Sequence, residues 1–200
     1  MPPVTLTLLI ANVAVYLAQQ VFGNLLVLWF ALWPLASTAT HAPGAPVGFL
    51  PWQLVTYSFL HGNELHILVN MLGLYMFGSE VERVLGQRRY VSYYFVCVIV
   101  AAVAQLLTSA LTPGPPYPTV GASGGVFGLL LAYGLFFPNR IVMLIFPPIP
   151  MPARVFVIFY AALELYLGVT GTQAGIAHFA HLGGMVGGWF MLRRWRRRTF

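Results

Sequence analysis

The sequence predicts an all-α membrane protein, a six-transmembrane-helix bundle forming a single domain over 1–200. Its core runs over about 4–192, followed by an arginine-rich tail at 193–200. Three observations carry that prediction. Only 7 % of the 200 residues are charged, against about 25 % in a soluble domain. Hydrophobic residues make up 59 %, and the mean hydropathy is +0.80. All ten basic residues are arginines, and they fall after alternate apolar segments. Together these exclude a soluble globular domain and a disordered chain. The net charge of +6 first suggests nucleic acid, but so apolar a chain has no water-facing surface on which to build such an interface.

A bilayer-spanning helix needs about 20 apolar residues, so six would use about 120 positions. Hydropathy places them near 4–22, 64–78, 90–111, 121–137, 155–169 and 176–192. The first lacks a basic leader and a small-residue cleavage site, so it reads as a retained span rather than a signal peptide. Between the first two spans, 23–63 holds Trp29, Trp33, Trp52 and four prolines. That stretch is too apolar for a solvated loop and too broken for a span, which predicts a segment lying partly in the interface. Further breaks fall at 112–116, 138–140 and 147–150. Cys97, the only cysteine, sits in an apolar run and reads as a packed small hydrophobe.

Arginines 83, 88 and 89 follow the second span, 140 and 154 the fourth, and 193, 194, 196, 197 and 198 the sixth. With six spans, the positive-inside rule places both termini in the cytoplasm. The terminal cluster then anchors topology and touches anionic lipid head groups; no nucleic-acid partner is expected.

Ionisable and amide groups inside spans are costly and mark function by default. The candidates are His66 and Asn70 in the second span, the Ser123 hydroxyl at the start of the fourth, Glu164 in the fifth, and His178 and His181 in the sixth. The second, fourth and sixth spans all start on the non-cytoplasmic side. His66, Ser123 and His181 each stand within about five residues of that start, so at about 1.5 Å per residue they share one layer. Asn70 lies one turn deeper on the face of His66. Ser123 opens a helix within Gly121-Ala-Ser-Gly-Gly125, where unpaired N–H groups would meet a developing oxyanion. Gly184 and Gly188 repeat at four, predicting a sixth helix laid closely on the fourth.

The chain has no Asp, Glu80 and Glu82 lie about 20 Å from this layer by helix rise, and Glu64 and Glu164 are the only carboxylates with a chance of reaching it. The expectation is therefore a Ser–His dyad whose imidazole is oriented by aromatic packing rather than by a carboxylate. Glu164 is expected as a neutral, hydrogen-bonded carboxyl held so by burial, and His178 as a structural hydrogen-bonding residue. His61, His66, His178 and His181 could ligate a metal in principle. No His-Glu-x-x-His is present and no acidic residue pairs with them at a ligand spacing, so neither metal nor cofactor is expected.

These residues resemble the rhomboid family of intramembrane serine proteases. The matching pieces are His66-Ile-Leu-Val-Asn70, Gly121-Ala-Ser123-Gly, Ala-His181-Leu-Gly-Gly with Gly188, and Glu82-Arg83 with Gly86. The resemblance covers about 4–192 and is to the minimal six-span bacterial type. It implies Ser123 as nucleophile and His181 as general base and acid. It also implies an oxyanion site of His66, Asn70 and the Ser123 backbone N–H, with Gly121 shaping the turn. Two positions depart from the pattern: Gln53 follows Trp52 where the family often has Arg, and Phe127 stands where many members have Tyr beneath the histidine.

The implied activity is hydrolysis of peptide bonds in or near transmembrane helices of single-span or polytopic membrane proteins. The implied location is a bacterial inner membrane, with the site opening to the non-cytoplasmic side. The fifth helix and the loop 171–175 are the expected moving parts. A non-catalytic client-binding protein on the same fold is the alternative, although such relatives usually lack the serine or histidine and this chain has both. A small-solute transporter fits the apolar bundle but not the lack of an internal repeat. No oligomeric state follows from the sequence.

Overall fold

The computed structural model describes residues 1–35, 48–111, 117–143, 148–171 and 177–196. Each predicted span falls on a helix. α1 is Pro3–Phe22, α2 Asn24–Phe30, and α3 Gln53–Thr56, which runs into a 3₁₀ turn at Tyr57–Phe59. α4 (Glu64–Gly73), a π-helical turn (Leu74–Gly78) and α5 (Ser79–Leu85) form one unbroken helical rod. α6 is Gln87–Leu111, α7 Ser123–Phe136, α8 Ala153–Thr170 and α9 His178–Arg196. Strands β1 (Ile141–Met143) and β2 (Pro150–Pro152) pair antiparallel, a small ribbon where the sequence suggested only a break.

Local chemistry explains the ends. Asn63 caps α4, its side-chain oxygen accepting from the His66 backbone N–H at 2.8 Å. Pro3 occupies the first turn of α1, where a missing N–H costs nothing. The Glu82 carboxylate of α5 accepts from Val4 N at 3.0 Å, and from Thr5 N and Thr5 Oγ1 at 2.7 Å each. Glu82 thereby closes the start of α1 and ties it to α5.

By length and hydropathy, three described helices are able to cross a bilayer, α1, α6 and α8, and α7 is a shorter apolar helix. The chain is an integral membrane protein built mostly of helix. Its centre is α6, whose Tyr90, Tyr93, Tyr94 and Cys97 are fully buried, Cys97 as the packed hydrophobe expected. α9 lies against α6 and α7 through small residues. A Cβ on Gly184 would collide with the backbone carbonyl of Gly124, so these two helices touch main chain to main chain. Gly188 takes a different partner from the one expected: it makes room for Tyr93 and Cys97 of α6, not for α7.

The described parts of the 23–63 stretch, 23–35 and 48–63, are joined by Gln53. This buried amide accepts from Trp33 N and Leu50 N, each at 3.2 Å, and donates to Trp29 O at 3.3 Å. Gln53, where the resemblance leads one to expect arginine, thus bonds backbone on both sides of residues 36–47. The breaks at 112–116 and at 147, most of the loop 171–175, and Arg197 and Arg198 lie outside the described residues. At the far end of the bundle from Ser123, Arg140 bonds Glu80 at 2.7 Å and Arg83 pairs with the same carboxylate. Arg140 holds the Glu80 carboxyl below the usual carboxylate range.

Candidate active site

Ser123 is the first residue of α7, and Gly121 two residues earlier makes the entry possible. Its φ is +126°, a region closed to residues with a Cβ, and its N–H donates to Tyr57 O at 3.0 Å. The turn leaves the first N–H groups of α7 without intrahelical acceptors, at the positive end of the helix dipole. Ser123 Oγ lies 2.8 Å from His181 Nε2, on α9 and 58 residues away in sequence. The main-chain contact at Gly124 and Gly184 is what permits this, since a wider helix spacing would put the hydroxyl out of reach.

Phe127, one turn after Ser123, lies flat against His181, with ring centroids 4.3 Å apart and planes 5° from parallel. The expected aromatic packing is present, and a phenylalanine suffices for it.

His66 approaches from α4. Gly62 N–H donates to its Nδ1 at 3.3 Å, which leaves Nε2 to carry the proton. That nitrogen faces the serine turn: a Cβ on Gly121 would stand 2.8 Å from His66 Nε2 and 3.7 Å from Ser123 Oγ. Asn70 is buried one turn below, and its amide donates back to His66 O at 2.8 Å. One amide N–H is spent on its own helix and the second is not committed by that bond.

Two expectations need correction. His181 was expected to lack a carboxylate, yet Glu164 Oε2 on α8 stands 3.0 Å from His181 Nδ1. The contact is at ion-pair distance without hydrogen-bond alignment. The same oxygen bonds His178 Nδ1 at 2.6 Å, the hydrogen-bonding role expected of His178. Two imidazole nitrogens converging on one oxygen favour an ionised acceptor over the neutral carboxyl that burial alone suggests. The second correction concerns ligand spacing. Glu164, His178 and His181 offer three ligand atoms within 4.8 Å of one another, so an acidic residue does gather with the histidines in space. The signal available in the sequence was His178-x-x-His181 on one helical face, with the only glutamate inside the preceding span.

A helical membrane protein with a serine, three histidines and a carboxylate gathered at one end of its bundle is the class that fold and site define. The chain belongs to the rhomboid family: residues 48–198 match the Rhomboid domain. It is similar to rhomboid protease GluP of Bacillus subtilis (strain 168), 32 % identical over 141 residues, which is 70 % of this chain and 25 % of that protein. It is also similar to rhomboid protease GlpG of Photorhabdus laumondii subsp. laumondii, 29 % identical over 202 residues, covering 99 % of this chain and 63 % of the relative. The chain thus spans between a quarter and under two thirds of these relatives' lengths.

Proposed function

We propose that this protein is an intramembrane serine endopeptidase that cleaves peptide bonds in or near the transmembrane helices of other membrane proteins. The observation that carries the reading is the 2.8 Å contact between Ser123 Oγ and His181 Nε2. The relatives' description as rhomboid proteases agrees with it.

In the first step Ser123 Oγ attacks the scissile carbonyl carbon, and its proton passes to His181 Nε2. The carbonyl electron pair becomes an oxyanion, met by the Ser123 backbone N–H, by His66 Nε2–H and by the uncommitted Asn70 N–H. Gly121 keeps the turn clear for it. Collapse of the tetrahedral species expels the amine, which takes the proton from His181, and leaves an ester on Ser123. Water then attacks the ester with His181 again as base, and the serine is restored.

In this reading the whole chain is one six-span domain with both termini in the cytoplasm. The alternation of the arginines supports that orientation, and a bacterial inner membrane is its setting. The site opens to the non-cytoplasmic side, where water reaches Ser123. Single-span or polytopic proteins are the substrates, and a helix that unwinds readily near the cleavage point is favoured.

The test is cleavage of a single-span helical reporter by the purified protein, with fluorophosphonate labelling of Ser123 alongside. Ser123→Ala and His181→Ala should each abolish cleavage while the protein still inserts and folds. Near-normal turnover by either variant would end the proposal, and a wild-type protein that neither cleaves nor labels would favour a client-binding role.

A further inference from the structure

We propose that Glu164 is a positioning residue for this hydrolysis, holding the proton of His181 on Nδ1 so that Nε2 faces Ser123 as a base. His178 secures the carboxylate in that place. The inference rests on the Ser123–His181 reading and extends it from two residues to four.

The Ser123–His181 pair alone leaves one choice open. A neutral imidazole carries one N–H, and only the Nδ1–H tautomer has a lone pair on Nε2 to accept the serine proton. A hydroxyl donates or accepts equally well, so Ser123 does not select the tautomer. Neither does the stacked Phe127, because a hydrocarbon ring fixes the plane of the imidazole and is indifferent to which nitrogen is protonated. A negative charge beside Nδ1 does select it, and Glu164 Oε2 stands 3.0 Å from that nitrogen, off the hydrogen-bond line.

The carboxylate is also in an expensive place. Glu164 is only 7 % exposed and lies within α8, a helix apolar enough to cross a bilayer. A charge so placed persists only when its partners are close. His178 supplies the aligned partner at 2.6 Å. Because His178 and His181 are three residues apart on α9, they present Nδ1 atoms on one face, and a single oxygen between them serves both.

During attack the serine proton moves to Nε2, the Nδ1 proton stays where it is, and His181 becomes a cation. Glu164 takes no proton; its charge stabilises the imidazolium, and the off-line contact at Nδ1 tightens as that charge develops. A dyad without a carboxylate lacks this stabilisation.

The experiment uses the full chain in detergent or liposomes, with the helical reporter and the fluorophosphonate. Wild type and Ser123→Ala are measured first; if wild type neither cleaves nor labels, it is the protease reading that falls. With wild type active, Glu164→Gln should lower kcat at least about tenfold while KM stays within about twofold. Labelling of Ser123 should slow in parallel, and Glu164→Asp should recover part of both. A merely structural role would instead lower the thermal midpoint while kcat per titrated site held. Should the amide variant fail to fold, Glu164→Met fills the same space without an unpaired polar group. A folded Gln or Met variant with wild-type kcat and labelling rate overturns the proposal.

Discussion

The Phe127 ring lies parallel to that of His181, 4.3 Å away between centroids, and also meets Tyr160 of α8 edge-on at 6.3 Å. His181 is therefore clamped in tilt from below. Phe127→Ala should lower kcat by about ten- to a hundredfold, since misplacing a catalytic group by about 1 Å has effects of that size. Phe127→Tyr keeps the stack and should stay within about twofold of wild type. Steady-state cleavage of the reporter checks both, and an Ala variant with unchanged kcat would show that the stack does not orient the imidazole.

Among the described glycines the tightest helix contact is at Gly184, where an added Cβ would meet the Gly124 backbone carbonyl. A side chain could swing away, but main chain cannot. Gly184→Ala should destabilise the protein by about 1–3 kcal/mol, or about 2–4 °C in thermal midpoint per kcal/mol. It should also reduce activity out of proportion to the stability lost, because Ser123 and His181 separate together with their helices. Val186, exposed on the outward face of α9, is the control: Val186→Ala should change neither quantity appreciably.

What was legible in advance followed period and composition. The helices appear where the apolar runs lie, and the common depth of His66, Ser123 and His181 followed from rise per residue and alternation of direction. Partners that depend on side-chain reach across the bundle were not legible. Gly184 and Gly188 have the same spacing pattern, yet α9 is wedged between two helices: Gly184 meets α7, while Gly188, with Gly183 and Gly187, meets α6. Glu164 lies 17 positions before His181, and their meeting depends on how α8 rotates against α9, which no local pattern records. Gln53 reads as the loss of a family arginine; only the fold around it shows three hydrogen bonds to loop backbone.

Glu82 stands far from the serine, about 24 Å along the rod from His66 by helix rise. Its carboxylate closes the first turn of α1 with three short hydrogen bonds. Glu82→Ala would leave buried donors unpaired and should cost about 1–3 kcal/mol, with α1 becoming the first segment cut in limited proteolysis. Glu82→Gln retains one acceptor oxygen and should recover part of the loss. Specific activity of the molecules that remain folded should be close to wild type. A fall in kcat equal to that of a site variant would mean that the two ends of the bundle are coupled.

His61, in the connection ahead of α4, is 2 % exposed, and neither ring nitrogen has a hydrogen-bond partner. Gln19 of α1 brackets its backbone, donating to His61 O at 3.1 Å and accepting from His61 N at 2.9 Å, and the ring sits edge-on to His66 at 5.1 Å. Burial first, and the neighbouring His66 second, push the His61 imidazole down to about 4, against a small opposing pull from the Phe59 backbone. The folded protein thus binds this proton less readily than the unfolded chain, whose histidine titrates near 6.5. Between those two values the unfolded state holds the extra proton, so stability is intact above about pH 6.5 and declines as pH falls toward 4. One such proton contributes a slope of up to about 1.4 kcal/mol per pH unit. Thermal midpoints between pH 7.5 and 4 should therefore fall more steeply for wild type than for His61→Phe, whose ring binds no proton. Equal slopes for the two proteins would mean that His61 is solvated and titrates normally.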